Sequence, residues 1–127
     1  MYIEYNVNPK GKKTGDCAIR AVATATALGW DKAYAGLVDM GFKLKTTPSD
    51  VEAVEKFLIS QGFLVGTVKV RKGEHRPTVD SFATEHPNMY AVLRVAGHLT
   101  CCGRGNYVDI WDCGDKSVYK YWYKMIV

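Results

Sequence analysis

The sequence lacks long apolar runs, an export signal and any dense block of basic residues. No apolar stretch approaches the ~20 residues that a membrane-spanning helix requires, and no basic segment precedes an apolar one near the start. The net charge is +4, but the basic residues are dispersed and form no stripe of the kind that nucleic-acid-binding domains carry. The sequence therefore predicts a cytoplasmic protein that binds neither membranes nor nucleic acid.

Internal repeats, low-complexity tracts and linkers are also absent. The 127 residues are enough for one hydrophobic core. The apolar content of 47% and the charged content of 24% are ordinary for a globular protein. We therefore expect a single domain that spans residues 1–127.

Cysteine is scarce, with four residues in the chain: Cys17, Cys101, Cys102 and Cys113. Without an export signal they are predicted to be free thiols. An alternative is a zinc site formed by Cys101, Cys113 and His98. Structural zinc sites prefer cysteine pairs separated by a few residues, and adjacent cysteines in a strand point to opposite faces. We therefore predict no metal and no cofactor.

The predicted elements place helices before strands. Their residue ranges follow from apolar periodicity and from turn residues. Helices are predicted over residues 16–28, 31–40, 48–61 and 78–85, and strands over 2–7, 63–70, 89–95, 98–102, 107–111 and 117–127. This layout predicts an α+β fold in which N-terminal helices pack on a C-terminal antiparallel sheet.

Cys17 opens the first predicted helix, directly after Gly15 and Asp16. A thiol in the first turn of a helix lies at the positive end of the helix dipole, which favours the thiolate and makes the sulfur nucleophilic. Free cysteine also packs as a small apolar residue in Ala-rich helices. The rest of the sequence must therefore decide between the two interpretations.

Candidate partners for Cys17 follow in the strand region. His98 comes 81 positions later, directly after Gly97; Asp109 lies in the next predicted strand and Asp112 directly follows it. An imidazole and an orienting acid are the groups that a cysteine nucleophile needs for acyl transfer. A two-residue turn would place Asp109 on the same face as His98, whereas a three-residue turn would place Asp112 opposite it.

With cysteine, histidine and acid in this order along the sequence, the chain resembles a minimal papain-like cysteine peptidase. The resemblance rests on three short stretches: Gly15-Asp16-Cys17, Gly97-His98 and Val108-Asp109-Ile110-Trp111-Asp112. In papain the third residue is an Asn, followed two positions later by a Trp, and Asp109 with Trp111 is similar to that pattern. In papain-fold effector proteases of bacterial pathogens an aromatic residue precedes the catalytic Asp, and Asp112 resembles that version. The 14-residue separation of Asp112 from His98 is closer to theirs, so Asp112 is preferred and Asp109 is the alternative.

The resemblance implies a bacterial or phage hydrolase that cleaves peptide or isopeptide amides with a Cys17, His98 and Asp112 triad. The backbone N–H of Cys17 is expected to bind the oxyanion. Gly11 stands where papain has the glutamine that binds the oxyanion. Asn8 is the nearest upstream residue with a side-chain amide, so the second oxyanion donor is expected to be Asn8. A protein or peptide is the expected partner. The alternatives are an inactive binding module with the same fold and an acyltransferase with the same triad.

Overall fold

The computed structural model describes all 127 residues as four helices and one six-stranded sheet, which confirms the α+β class. The helices are α1 (Cys17–Thr26), α2 (Trp30–Leu44), α3 (Val51–Ser60) and α4 (Val79–Glu85). The strands are β1 (Tyr2–Glu4), β2 (Leu64–Thr67), β3 (Met89–Val95), β4 (His98–Gly103), β5 (Asn106–Asp109) and β6 (Lys120–Met125).

The strand order in the sheet is β1-β5-β4-β3-β6-β2. Every pair is antiparallel except β1 and β5, which run parallel, so the prediction of a purely antiparallel sheet is wrong at this edge. Parallel neighbours need a long connection between them, and nearly the whole chain separates β1 from β5. A three-residue strand carries no pattern that reveals its direction.

Two helix ends differ from the predictions by three residues or more. Helix α3 begins at Val51 rather than at Pro48, because residues 47–50 form a turn in which the Asp50 N–H donates to the Thr47 carbonyl at 3.1 Å. Helix α2 continues past Gly41 to Leu44. A Cβ at position 41 would lie 2.8 Å from the Thr46 carbonyl oxygen, so this glycine permits a close approach of backbone and does not end the helix.

Apolar side chains pack on both faces of the sheet. Val92, Cys101 and Trp122 belong to a cluster that includes residues of α1, α2 and α3. Their strand neighbours Leu93 and Cys102 belong to a second cluster with α4. Adjacent strand residues therefore face opposite sides, as expected for Cys101 and Cys102. None of the helices combines the length and apolar character needed to cross a bilayer.

The hairpin between β4 and β5 determines which acid can reach His98. Its turn contains two residues, Arg104 and Gly105, with φ values of 54° and 87°. Two consecutive positive φ values are the signature of a type I′ turn. Cys101 pairs with Val108 across the hairpin, so Asp109 lies on the same face as Thr100 and His98.

Candidate active site

Helix α1 presents Cys17 at its first position, half-buried. Asp16 precedes the helix, but its side chain makes no capping hydrogen bond. The first helical bond runs from the Arg20 N–H to the Asp16 carbonyl at 2.9 Å, and the three preceding N–H groups of the helix, residues 17–19, have no protein acceptor. These free donors and the helix dipole favour negative charge beside the Cys17 sulfur.

His98 begins β4 and bonds an acid through one ring nitrogen. Its Nε2 lies 2.7 Å from Oδ2 of Asp109, which leaves Nδ1 for a second partner. The imidazole also packs against the Trp111 indole, with ring centroids 5.0 Å apart. Nothing lies within 4 Å of the Cβ that a side chain at Gly97 would carry, so the turn before His98 leaves open space, as expected.

The pKa shifts of Cys17 and His98 have a common cause. The His98 side chain, followed by the Leu99 backbone N–H, stabilises the thiolate and lowers the pKa of Cys17 despite the opposing effect of burial. Burial also acts against a charged His98. Hydrogen bonds with Asp109, Cys113 and Cys17 outweigh that effect and raise the pKa of His98 to about 11. These shifts favour a thiolate and an imidazolium at neutral pH.

Asp109, not Asp112, is the acid beside His98, and the preference for Asp112 is corrected. Asp112 accepts a hydrogen bond from the Tyr107 hydroxyl at 2.6 Å and another from the Gly114 N–H at 3.0 Å. The two-residue turn produces this result, because the alternative register would have exchanged the faces of the two acids. The Asp109–Trp111 pattern, noted for its similarity to papain, is the one that contacts His98.

A buried arginine links Asp109 to the start of α1. The Arg20 Nη1 donates to Asp109 Oδ1 at 2.8 Å, and its Nε donates to Asp16 Oδ1 at 2.8 Å. Burial acts to raise the pKa of both carboxyl groups, but hydrogen bonds from Arg20 and other donors outweigh it and lower each pKa. The sequence prediction missed this link. Two features of the sequence could have revealed the contact of Arg20 with Asp16. Arg20 is the only charged residue of an apolar helix, and it lies four residues after Asp16.

Asn8 contacts Asp16, which corrects its expected role as the oxyanion donor. The Asn8 Nδ2 donates to Asp16 Oδ2 at 3.2 Å, and its Oδ1 accepts from the Lys10 N–H at 2.9 Å. The Trp30 indole N–H donates to the same Asp16 oxygen at 3.0 Å. Asp16 is therefore held by three side chains, and Asn8 positions this carboxylate.

The alternative zinc site does not form with the residues expected for it. Cys113, rather than Cys101, lies beside His98, and with Asp109 these two residues place their possible ligand atoms within 4.8 Å of one another. However, Asp109 uses one oxygen for Arg20 and the other for His98 and the Cys113 thiol. A guanidinium this close to the carboxylate disfavours a bound cation.

A cleft of about 200 Å³ opens beside the Cys17 and His98 side chains. Its walls come from α1, the start of α3 and the β3–β4 hairpin. The lining residues are Cys17, Ala18, Ser49, Val51, Arg94, Val95, Gly97, His98 and Leu99. A larger cavity of about 500 Å³ lies around Asp80, Asp112 and Asp115 and contains no cysteine or histidine. The smaller cleft is therefore the one that can present a substrate to Cys17.

No protein-family model, curated protein or solved structure matches this chain. Membership of the papain-like family is therefore not shown by any relative. The case for a function rests on the geometry of the site itself.

Proposed function

We propose that this protein is a cysteine-type hydrolase that cleaves peptide or isopeptide amides. The observation that carries the proposal is the position of His98, which bonds Asp109 through Nε2 and lines the same cleft as Cys17 at the open start of α1. The amide class of substrate and the papain-like fold rest on the resemblance of the sequence motifs. Cys17 is the nucleophile, His98 the acid and base, and Asp109 the orienting residue.

In the first step the Cys17 thiolate attacks the amide carbonyl carbon and forms a C–S bond. The carbonyl oxygen becomes an oxyanion, and the backbone N–H of Cys17, which has no protein acceptor, is positioned to bind it. The His98 imidazolium then donates its proton to the amide nitrogen. The C–N bond breaks, the amine leaves, and a thioester to Cys17 remains.

In the second step neutral His98 accepts a proton from water as the water oxygen attacks the thioester carbonyl. The C–S bond breaks, the carboxylic acid is released, and the thiolate and imidazolium are restored. Asp109 stays ionised throughout because Arg20 binds its other oxygen. The carboxylate thus fixes the orientation of the ring and stabilises its charge, the role that an acid has behind a catalytic histidine.

The pH dependence of Cys17 alkylation by iodoacetamide tests the activated thiol. In the wild type we expect the rate to stay high well below pH 8.5, the ordinary pKa of a cysteine. In His98→Ala the apparent pKa should return to 8.5 or above, with a loss of about tenfold or more in rate at pH 6.5. His75→Ala is the matched control, because His75 is exposed and does not line the cleft.

Two results would count against the proposal. A wild-type thiol pKa near 8.5 that does not change in His98→Ala would contradict the thiolate–imidazolium pair. An activated thiol that cleaves no member of a quenched fluorescent peptide library would contradict the hydrolase assignment and favour the binding module. Cleavage that is abolished in Cys17→Ser, with water added across the amide in the product masses, would support the proposal.

A further inference from the structure

The cleft beside Cys17 contains one charged side chain that takes no part in the proposed chemistry. Arg94 is exposed on β3 and lines the cleft together with Cys17 and His98. Most of the other lining side chains are apolar, among them Val51, Val95 and Leu99. A single cation on an apolar wall is suited to orient a bound molecule that carries a negative charge.

No acidic side chain neutralises Arg94. Arg94 forms none of the ion pairs in the structure, and its strand neighbour Lys120 is the residue that pairs with Glu55, at 3.3 Å. Asp50 adjoins the cleft residues Ser49 and Val51 in sequence, but it accepts a hydrogen bond from Thr46 and does not line the cleft. The positive charge of Arg94 therefore remains available.

The other charges near the cleft are paired with one another. Asp16 and Asp109 are both buried, and each is paired with Arg20. The free N–H groups at the start of α1 add the positive end of the helix dipole beside Cys17. The cleft has no carboxylate in its lining, and the proposed Cys17 thiolate is paired with the His98 imidazolium, so Arg94 is the unpaired charge that an entering anionic group meets.

We propose that Arg94 is a specificity-determining residue that binds a carboxylate of the substrate close to the scissile carbonyl. The carboxylate belongs either to an acidic side chain or to the C-terminus of the substrate chain. This role of Arg94 depends on the proposed function in one respect: Cys17 must be the reacting group of this cleft. The substrate class is therefore peptides that carry a carboxylate near the scissile amide.

Alkylation of Cys17 by an anionic and a neutral reagent of similar size tests the proposal without turnover. The measured quantity is the ratio of the rate with iodoacetate to the rate with iodoacetamide. We expect Arg94→Met to lower this ratio about three- to tenfold and Arg94→Glu to lower it further, since an attractive charge is lost and then reversed. Lys120→Met is the matched control and should leave the ratio unchanged, because Lys120 lies outside the cleft.

Salt provides an independent check on the same ratio. The difference between the wild type and Arg94→Met should shrink as ionic strength rises, because salt screens charges that are exposed to solvent. Equal ratios in the wild type and Arg94→Met at low salt would overturn the proposal. Since alkylation does not require hydrolysis, a failure here differs from the failure of the protein to cleave peptides.

Protection of Cys17 by three short peptides identifies the source of the carboxylate. The peptides are acetyl-Ala-Glu-Ala-amide, acetyl-Ala-Gln-Ala with a free C-terminus, and acetyl-Ala-Gln-Ala-amide. If only the first peptide slows alkylation by iodoacetamide, the carboxylate belongs to an acidic side chain. If only the second peptide slows it, the carboxylate belongs to a chain terminus. Either result supports the proposal if protection is lost in Arg94→Met. Equal protection by all three peptides would overturn it.

Discussion

At the scale of single residues, the site depends on how a few charges balance in a buried network. Arg20 donates to Asp16 and to one oxygen of Asp109, which leaves the other oxygen of Asp109 for His98. Two carboxylates thus face one guanidinium and one imidazolium. The Cys17 sulfur, whose pKa is lowered, lies at the cleft.

The identity of the acid can be tested with one pair of substitutions. Asp109→Asn keeps the shape of the side chain but removes its charge, so the pKa of His98 should fall and the thiolate should lose its charged partner. We expect iodoacetamide alkylation of Cys17 at pH 6 to slow about tenfold or more. Far-ultraviolet circular dichroism checks that the variant is folded.

Asp112→Asn is the matched control for this prediction. Asp112 contacts Tyr107 and Gly114 rather than His98, so its loss should change the alkylation rate by less than about twofold. Equal effects of the two substitutions, or a larger effect of Asp112→Asn, would contradict the assignment of Asp109.

At the scale of elements, α1 is joined to the β4–β5 hairpin through Arg20. The side chain leaves the helix near its start and reaches Asp109 at the end of β5. A second contact of Arg20 helps to explain why the start of α1 is open. The Asp16 carboxylate binds Arg20 and Trp30 and therefore makes no capping hydrogen bond to the helix. One arginine therefore serves both the packing of the helix and the environment of Cys17.

Arg20→Met should destabilise the protein by about 3–5 kcal/mol, because two buried carboxylates lose their cationic partner. Arg20→Lys should recover only part of this loss, since an ammonium group lacks the planar fork that binds two acids at once. Urea unfolding at pH 7 measures both effects.

Lys43→Met is the control for this series. Lys43 pairs with Asp39 at 3.0 Å on the exposed side of α2, and such pairs contribute at most about 1 kcal/mol. A loss in Arg20→Met no larger than that in Lys43→Met would show that the buried pairs do not stabilise α1 against the hairpin.

Local sequence patterns predicted those parts of the site that local chemistry determines. The start of α1 at Cys17, strand 89–95 and the start of β4 at His98 follow from apolar periodicity and from glycine. The preference for Asp112 over Asp109 did not come from the turn, because Gly103-Arg104-Gly105-Asn106 is compatible with turns of different length. Arg104 adopts a positive φ that its residue type does not signal.

Longer-range features were beyond the sequence pattern. The parallel pairing of β1 with β5 and the contact of Arg20 with Asp109 join residues that are distant in the chain. Such contacts depend on how the elements pack, and no spacing along the chain reports them. The charge of Arg20 in an apolar helix indicated that it needs a partner but did not identify which acid supplies it.

At the scale of the whole molecule, the ionisation of the site is linked to the stability of the fold. The folded-state pKa of His98 is raised to about 11, so its contribution is complete below its unfolded pKa of about 6.5 and is lost as pH rises towards 11. The pKa of Cys17 is lowered. Its contribution is therefore complete above about pH 8.5 and is lost as pH falls through the folded-state pKa.

These two contributions offset each other between about pH 6.5 and 8.5. In this range the unfolded chain keeps the proton on the Cys17 thiol, whereas the folded protein keeps one on His98. Where Cys17 is a thiolate in the folded protein, both states bind one proton at this pair, and its contribution to the free energy of unfolding should not change with pH.

Cys17→Ser should remove this balance. The serine hydroxyl does not titrate in this range, so only the folded state, through His98, holds a proton that the unfolded chain has released. The free energy of unfolding should then fall by up to about 1.4 kcal/mol per pH unit relative to the wild type. Urea unfolding of both proteins at pH 6.5, 7.5 and 8.5 measures the difference between the slopes. Parallel slopes would show that Cys17 keeps its proton in the folded wild type, which removes the ion pair on which the proposed reaction depends.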